Sequence, residues 1–357
     1  MERIVRYLAS DDMKGRGFGT EEGRTAARFV AGQFEKFGLK PGGESNTYFQ
    51  KFGNGFNVLG VLEGRKHPDT HIVISAHHDH LGEKDGRIYN GADDNASGVA
   101  MLLELAEAFS KASKPNYSIL FISFEAEELG KGMAGSRYFV RSGLYDTKKF
   151  RAMICFDLVG GNLFEWEDRK VYAFGSEHCE RLSKKLSSHI GQARAVSDYL
   201  DVTKVGVYLI EPLGQSIARS DYAGFRDAGV PFVFFTTGTP WYYHTTEDDA
   251  DKLNYRKMEM LGRFLFDFIK DISQDEGQFY FSPEIATDRI DALNIAKILD
   301  GILLHKVSLT LDKRTEKYII EKLPLVKRMA SGEVSMDKQL IQWLTARIMV
   351  IAAKSRR

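Results

Sequence analysis

The run Ile72-Val73-Ile74-Ser75-Ala76 is apolar at nearly every position and ends in His77-His78-Asp79-His80-Leu81-Gly82. A strand with one face in water alternates apolar and polar side chains, whereas so continuous a run suits a strand covered on both faces. The same signature recurs at Asn57–Leu62, Ile119–Phe124, Met153–Phe156 and Phe232–Phe235. Helical spacing fills the intervals, at Ser97–Ala112, Gly135–Arg141, His178–Ile190 and Tyr255–Ile272, and earlier from Thr20 to a glycine stop at Gly38. Strands alternating with helices predict an α/β sandwich around a mostly parallel central sheet. Ligands of such folds gather beyond the carboxyl ends of the strands.

Those ends carry the chemistry. After Ala76 comes His77-x-Asp79, in which a carboxylate two residues on can accept from the imidazole and fix its tautomer. Asn90-Gly91-Ala92-Asp93-Asp94-Asn95-Ala96-Ser97-Gly98 precedes a helix. Helix capping accounts for one or two of these side chains but not for the whole cluster. The strand 119–124 runs into Glu125-Ala126-Glu127-Glu128, and adjacent glutamates can divide metal binding from proton transfer. Asp157 directly follows the apolar run 153–156, where a carboxylate is costly unless paired or bound to a cation. His244 lies in the aromatic loop Trp241-Tyr242-Tyr243-His244. Each feature alone has a bland reading as a solvated turn or a packed histidine. Together, His77, the Asp93-Asp94-Asn95 cluster, the Glu125–Glu128 loop, Asp157 and His244 form an N/O donor set without thiolate that suits two zinc ions sharing one carboxylate.

At this point the sequence resembles metallopeptidase family 28, the di-zinc aminopeptidases related to glutamate carboxypeptidase and glutaminyl cyclase. The resemblance covers roughly residues 3–270. It rests on Tyr7-Leu8-Ala9-Ser10-Asp11, Gly15-Arg16-Gly17, Ala76-His77-x-Asp79-His80-x-Gly82, Gly91-Ala92-Asp93-Asp94-Asn95-Ala96-Ser97-Gly98, Glu127-Glu128-x-Gly130, Gly135-Ser136-x-x-Phe139, Ser220-Asp221-Tyr222 and His244-Thr245-x-x-Asp248, in order. It implies a three-layer α/β/α sandwich of the zinc-exopeptidase type with a mixed, mostly parallel sheet. It also implies two Zn2+ per chain: His77 and Asp157 as terminal ligands of one, Glu128 and His244 of the other, with Asp94 bridging and a cis peptide at Asp94–Asn95. Glu127 becomes the general base and then the acid, Asp79 orients His77, and Tyr243 stabilises the oxyanion. The implied activity is removal of the N-terminal residue of peptide substrates through a water shared by the two ions.

Three rivals share the scaffold. A glutaminyl cyclase works with one zinc and departs from the Gly91–Gly98 pattern kept here. A related di-zinc carboxypeptidase carries a lid for which Asp157–His244 is too short. A non-catalytic binding relative is expected to have lost ligands, and all five positions are present.

The bulk numbers set the outer bounds. The 357 residues carry 49 Lys+Arg against 49 Asp+Glu, with 43% hydrophobic and 27% charged residues, which describes a globular protein. Neutrality argues against a nucleic-acid partner. No apolar run approaches the ~20 residues of a membrane span. Two cysteines make neither a disulfide framework nor a thiolate zinc site. The resemblance favours a secreted or periplasmic setting, although no signal peptide is read at Met1. A polar break near Gln274–Gln278 divides a peptidase domain, 1–272, from a helical C-terminal extension, 273–357. Residues 275–357 carry 14 basic and 11 acidic side chains, too slight an imbalance to indicate an anionic partner. The stripe Ile295, Ile298, Leu299, Ile302 and Leu303 packs on the body, closes over the site or forms a homodimer. His67, His71, His178, His189 and His305 are expected at the surface.

Overall fold

A computed structural model describes residues 1–129, 132–196, 198–206, 219–284 and 289–354. The strands are β1 (Lys40–Pro41), β2 (Phe49–Phe52), β3 (Gly55–Leu62), β4 (His67–His77), β5 (Gly82–Lys84), β6 (Arg87–Tyr89), β7 (Tyr117–Phe124), β8 (Phe150–Phe156), β9 (Lys170–Phe174), β10 (Asp201–Val205) and β11 (Phe232–Thr236). The helices are α1 (Glu2–Leu8), α2 (Glu21–Lys36), α3 (Gly98–Lys111), α4 (Ala134–Ser142), α5 (Glu180–Val196), α6 (Tyr222–Asp227), α7 (Tyr255–Gln274), α8 (Arg289–Leu304), α9 (Lys313–Ser331) and α10 (Lys338–Lys354).

One sheet dominates, in the order β1-β3-β7-β4-β8-β11-β9-β10, with β2 on β3 and a separate β5–β6 hairpin. Its centre is parallel, β4 with β7 and β8, and β8 with β11. The flank β2-β3-β7 and the β9–β11 pair are antiparallel. The expected α/β/α sandwich with a mixed sheet is therefore present. β7 and β8 are buried along their whole lengths, as their unbroken apolar runs require.

Local chemistry sets the helices that cover the sheet. Thr20 accepts from the Gly23 amide at 3.0 Å to start α2, and Glu21 and Glu22 sit on its positive first turn. Asn254 caps α7 in the same way through the Lys257 amide. α7 then buries Met258, Leu261, Leu265, Phe268, Ile269 and Ile272 along one stripe. Each such side chain contributes roughly 1.5–3 kcal/mol by leaving water.

Two apolar cores result, one on each face of the sheet. The first draws on α2, α3, α5 and α7. The second takes Phe139, Phe225, Tyr172, Phe174 and Phe234 together with Ile295, Ile298, Leu299 and Ile302 of α8 and Ile341, Leu344, Ile348 and Ile351 of α10. The C-terminal helices thus share a core with the sheet, and the α8 stripe is buried within the chain, with Leu303 half-buried. Among the described residues no helix is long and apolar enough to cross a membrane.

Two histidines expected at the surface are buried instead, His71 and His178. His71 meets Tyr145 edge-on, ring centroids 5.2 Å apart, and serves the core as an aromatic ring. Burial pushes its pKa down from 6.5 to about 4. Between those pH values the unfolded chain binds a proton that the native ring refuses, so stability falls as pH drops through that window. The urea-unfolding free energy of the wild type is expected to fall between pH 6.5 and 4 by about 2–3 kcal/mol more than that of His71→Leu. Equal pH slopes for the two proteins would disprove the buried neutral ring.

Candidate metal centre

Strand register brings the candidate residues together. His77 at the end of β4 lies opposite Phe124 at the end of β7, and Phe156 of β8 lies opposite Phe235 of β11. The segments leaving these ends, Glu125–Glu128, Asp157 and the loop to His244, therefore emerge along one edge of the sheet. Asp94 arrives from the turn before α3, and its bond to Asn95 is cis, at the position the resemblance gave. Ala126, Leu158 and His244 all take positive φ, 64°, 56° and 57°. These left-handed non-glycine residues immediately precede, follow or constitute the candidate positions.

The side chains form two adjoining clusters. In the first, His77 Nε2 lies 3.3 Å from Asp157 Oδ1 and 3.4 Å from Asp94 Oδ1. In the second, His244 Nε2 lies 3.0 Å from Glu128 Oε1 and 3.1 Å from Asp94 Oδ2. The two oxygens of Asp94 therefore face different clusters. His77, Asp94 and Asp157 offer donor atoms all within 4.8 Å of one another, and so do His80, Asp94 and Glu128. Imidazole nitrogens with carboxylate oxygens make a donor set that fits zinc. Glu127 and Tyr243 line the same cavity as Asp94 and Asp157.

Buried carboxylates hold the loops that carry these groups. The backbone carbonyl of Asp79 is 3.1 Å from His77 Nδ1, while its carboxylate accepts from the amides of Glu127 and Glu128 at 3.2 and 3.3 Å. Asp79 thus ties the β4 end to the glutamate loop, in addition to lying beside His77. Asp248 accepts from the Asp93 and Asp94 amides at 2.8 and 3.1 Å, and Asp93 accepts from Gly160 and Gly161 at 2.8 and 3.0 Å behind Asp157. Arg16, fully buried, donates to the carbonyls of Leu8, His78, Asn90 and Gly91, joining the His77 and Asp94 segments.

Without cations the charge balance is unfavourable. Burial, with the charges of Asp157 and Glu128, holds the Glu127 carboxyl well above the usual range, although His77 opposes this. Burial and the charge of Glu128 raise Asp94 likewise. Glu128 goes the other way: burial would lift it, but hydrogen bonds from His244 and His80 draw it down. Burial opposes protonation of His244, yet Asp94 and Glu128 raise it to about 10. Burial, then the charge of Asp94, pushes the Tyr243 phenol far above its ordinary value, so at neutral pH it is a hydrogen-bond donor.

His80 is the neighbour that spacing left without a role. It is buried, with Nδ1 3.2 Å from Glu128 Oε1 and 3.7 Å from Asp94 Oδ2. The signal was the second imidazole in His77-x-Asp79-His80. Arg16 and Asp248 stand in the sequence only as motif letters, because side chains that bind backbone leave no pattern in spacing.

Peptidase family M28 matches the chain over residues 57–269. Aminopeptidase YwaD of Bacillus subtilis is 26% identical over 214 residues, covering 58% of this chain and 42% of that protein. The chain therefore spans less than half the length of that relative. The LapA aminopeptidase of Legionella pneumophila shares the fold with a TM-score of 0.61 at 22% identity, over 77% of this chain and 72% of that one. Glutaminyl cyclase of Porphyromonas gingivalis shares it with a TM-score of 0.58 at 17% identity, over 76% and 96%. With the family match extending over more than half of its residues, the chain belongs to peptidase family M28.

Proposed function

We propose that the protein is a zinc-dependent exopeptidase, an aminopeptidase that hydrolyses the bond after the first residue of a peptide with two Zn2+ per chain. The observation that carries this reading is Asp94, whose Oδ1 faces His77 at 3.4 Å and whose Oδ2 faces His244 at 3.1 Å. That arrangement suits a carboxylate shared by two ions, with His77 and Asp157 completing one set and Glu128 and His244 the other. His244 is assigned ahead of His80 because it approaches both Glu128 and Asp94 more closely.

Bound zinc would supply Lewis acidity toward a substrate carbonyl and a water. The chain's own groups do the rest. Glu127 takes a proton from the attacking water and returns it to the leaving amine. Tyr243, kept as a phenol, donates to the developing oxyanion. Asp79 holds His77 and the glutamate loop in register.

Zinc content by mass spectrometry, with assays on leucine anilide, on N-blocked peptides and for pyroglutamate formation, tests the reading. Two ions per chain and chelator-sensitive anilide cleavage are expected. One ion with pyroglutamate formation would point to a cyclase instead. His80→Gln should keep both ions, whereas His244→Ala should keep about one. The reverse pattern would exchange their roles.

A further inference from the structure

We propose that the C-terminal helices α8 and α10 form the wall of the substrate's side-chain pocket and make the enzyme selective for a large apolar residue beside the scissile bond. The inference rests on the peptidase reading above and extends it to substrate class.

A cavity of about 540 Å3 runs from the candidate metal centre to the C-terminal extension. At one end lie Asp94, Glu127, Asp157 and Tyr243, and the remaining walls include Phe174 and Phe234 of the sheet, Ile298 of α8, and Trp343, Ala346 and Met349 of α10. Apart from the carboxylates of the centre, Arg219 is the one ionisable side chain besides tyrosine among the described lining residues. α10 shows why it serves as a wall. Ile341, Leu344 and Ile351 are buried in the core, Ile348 belongs to both the core and the cavity lining, and Trp343, Ala346, Met349 and Val350 line the cavity. Trp343 and Val350 remain 37% and 43% exposed. Apolar side chains lining a cavity beside a reacting centre give a substrate side chain somewhere to leave water.

The volume lies within the range of about 300–1,000 Å3 typical of small-molecule sites, so an aromatic side chain fits with room to spare. A cationic side chain would lose its hydration along the α8 and α10 walls without gaining an anionic partner there. A methyl group would leave the walls wet. A single extra methylene buried in an apolar pocket is worth about ten-fold or more in discrimination, and a whole phenyl ring exceeds that, so a phenylalanine ligand should bind at least about 30-fold tighter than an alanine ligand.

The test uses full-length, zinc-loaded protein and two hydroxamates, those of phenylalanine and alanine, with affinities measured by calorimetry. The phenylalanine compound should bind at least about 30-fold tighter. Ala346→Arg, at an exposed position where the new side chain can be accommodated without disturbing the core, and Trp343→Ala should each cut that ratio to below about five-fold, with circular dichroism unchanged. N-phenyl-1-naphthylamine, an apolar dye that needs no metal, should lose fluorescence enhancement in Ala346→Arg. Equal hydroxamate affinities in the wild type, or a preference and dye signal untouched by both substitutions, would overturn the proposal. A preference lost in the variants, in a protein that cleaves no anilide or peptide, would keep the pocket and discard the peptidase reading.

Discussion

Glu127→Gln is expected to retain the wild-type zinc content and lose about 10³–10⁴-fold in kcat, with KM changed only a few-fold. The side chain lines the cavity shared by Asp94, Asp157 and Tyr243, yet it is absent from both donor clusters. Its backbone is fixed independently of its carboxylate, because the Glu127 and Glu128 amides both donate to Asp79. Glutamine keeps the shape and removes only the ability to take a proton from water and pass it on. A loss confined to kcat identifies an interaction used in the transition state rather than in substrate binding. Parallel measurement of zinc content and single-turnover rate decides the matter. A metal-replete variant with more than about a tenth of the wild-type rate would remove Glu127 from the proton-transfer role.

The central strands and the candidate site were legible for the same reason. β7, β8, β11 and the second half of β4, from His71 on, are buried on both faces, so hydrophobicity wrote them as continuous runs, and their carboxyl ends had to carry the polar chemistry. The flanking elements were harder to read. β9 and β10 are five-residue strands at one side of the sheet, and Lys170, Asp201 and Lys204 break their apolar character. α9 buries only Ile319, Leu323, Val326 and Met329 of its nineteen residues and carries Pro324 inside, so its pattern is mostly that of a solvated face. Within the site, groups that act through their own side-chain chemistry stood out by type and spacing. Arg16, Asp93 and Asp248 did not, because their partners are carbonyls and amides of distant segments, which composition cannot encode. His71 escaped for a related reason: a neutral imidazole in a core is a packing residue that reads as a polar letter.

Asp94→Asn is the substitution expected to separate function from stability most sharply. Each oxygen of Asp94 serves a different cluster, so one isosteric change should weaken both ion sites, whereas Asp157→Asn or Glu128→Gln should each cost chiefly one. Zinc stoichiometry should fall from two to below one in the Asp94 variant and to about one in the others, and turnover in the Asp94 variant should drop by about 10⁴-fold or more. The metal-free protein should respond in the opposite direction. Burial and the Glu128 charge hold the Asp94 carboxyl well above its unfolded value, and an acid raised in the folded state costs stability at any pH above its unfolded pKa. Replacing it with a neutral amide removes that cost, while the backbone amide of residue 94 keeps its hydrogen bond to Asp248. At neutral pH and in chelator, the variant should therefore melt at or above the wild-type temperature. With zinc at about a hundred times its dissociation constant, the wild type should gain roughly 2.7 kcal/mol per site and the variant almost none. Calorimetric melting of both proteins with and without zinc gives the readout. An Asp94→Asn protein that still binds two ions, or one that melts well below the metal-free wild type, would show that Asp94 is a structural carboxylate rather than the group shared between two cations.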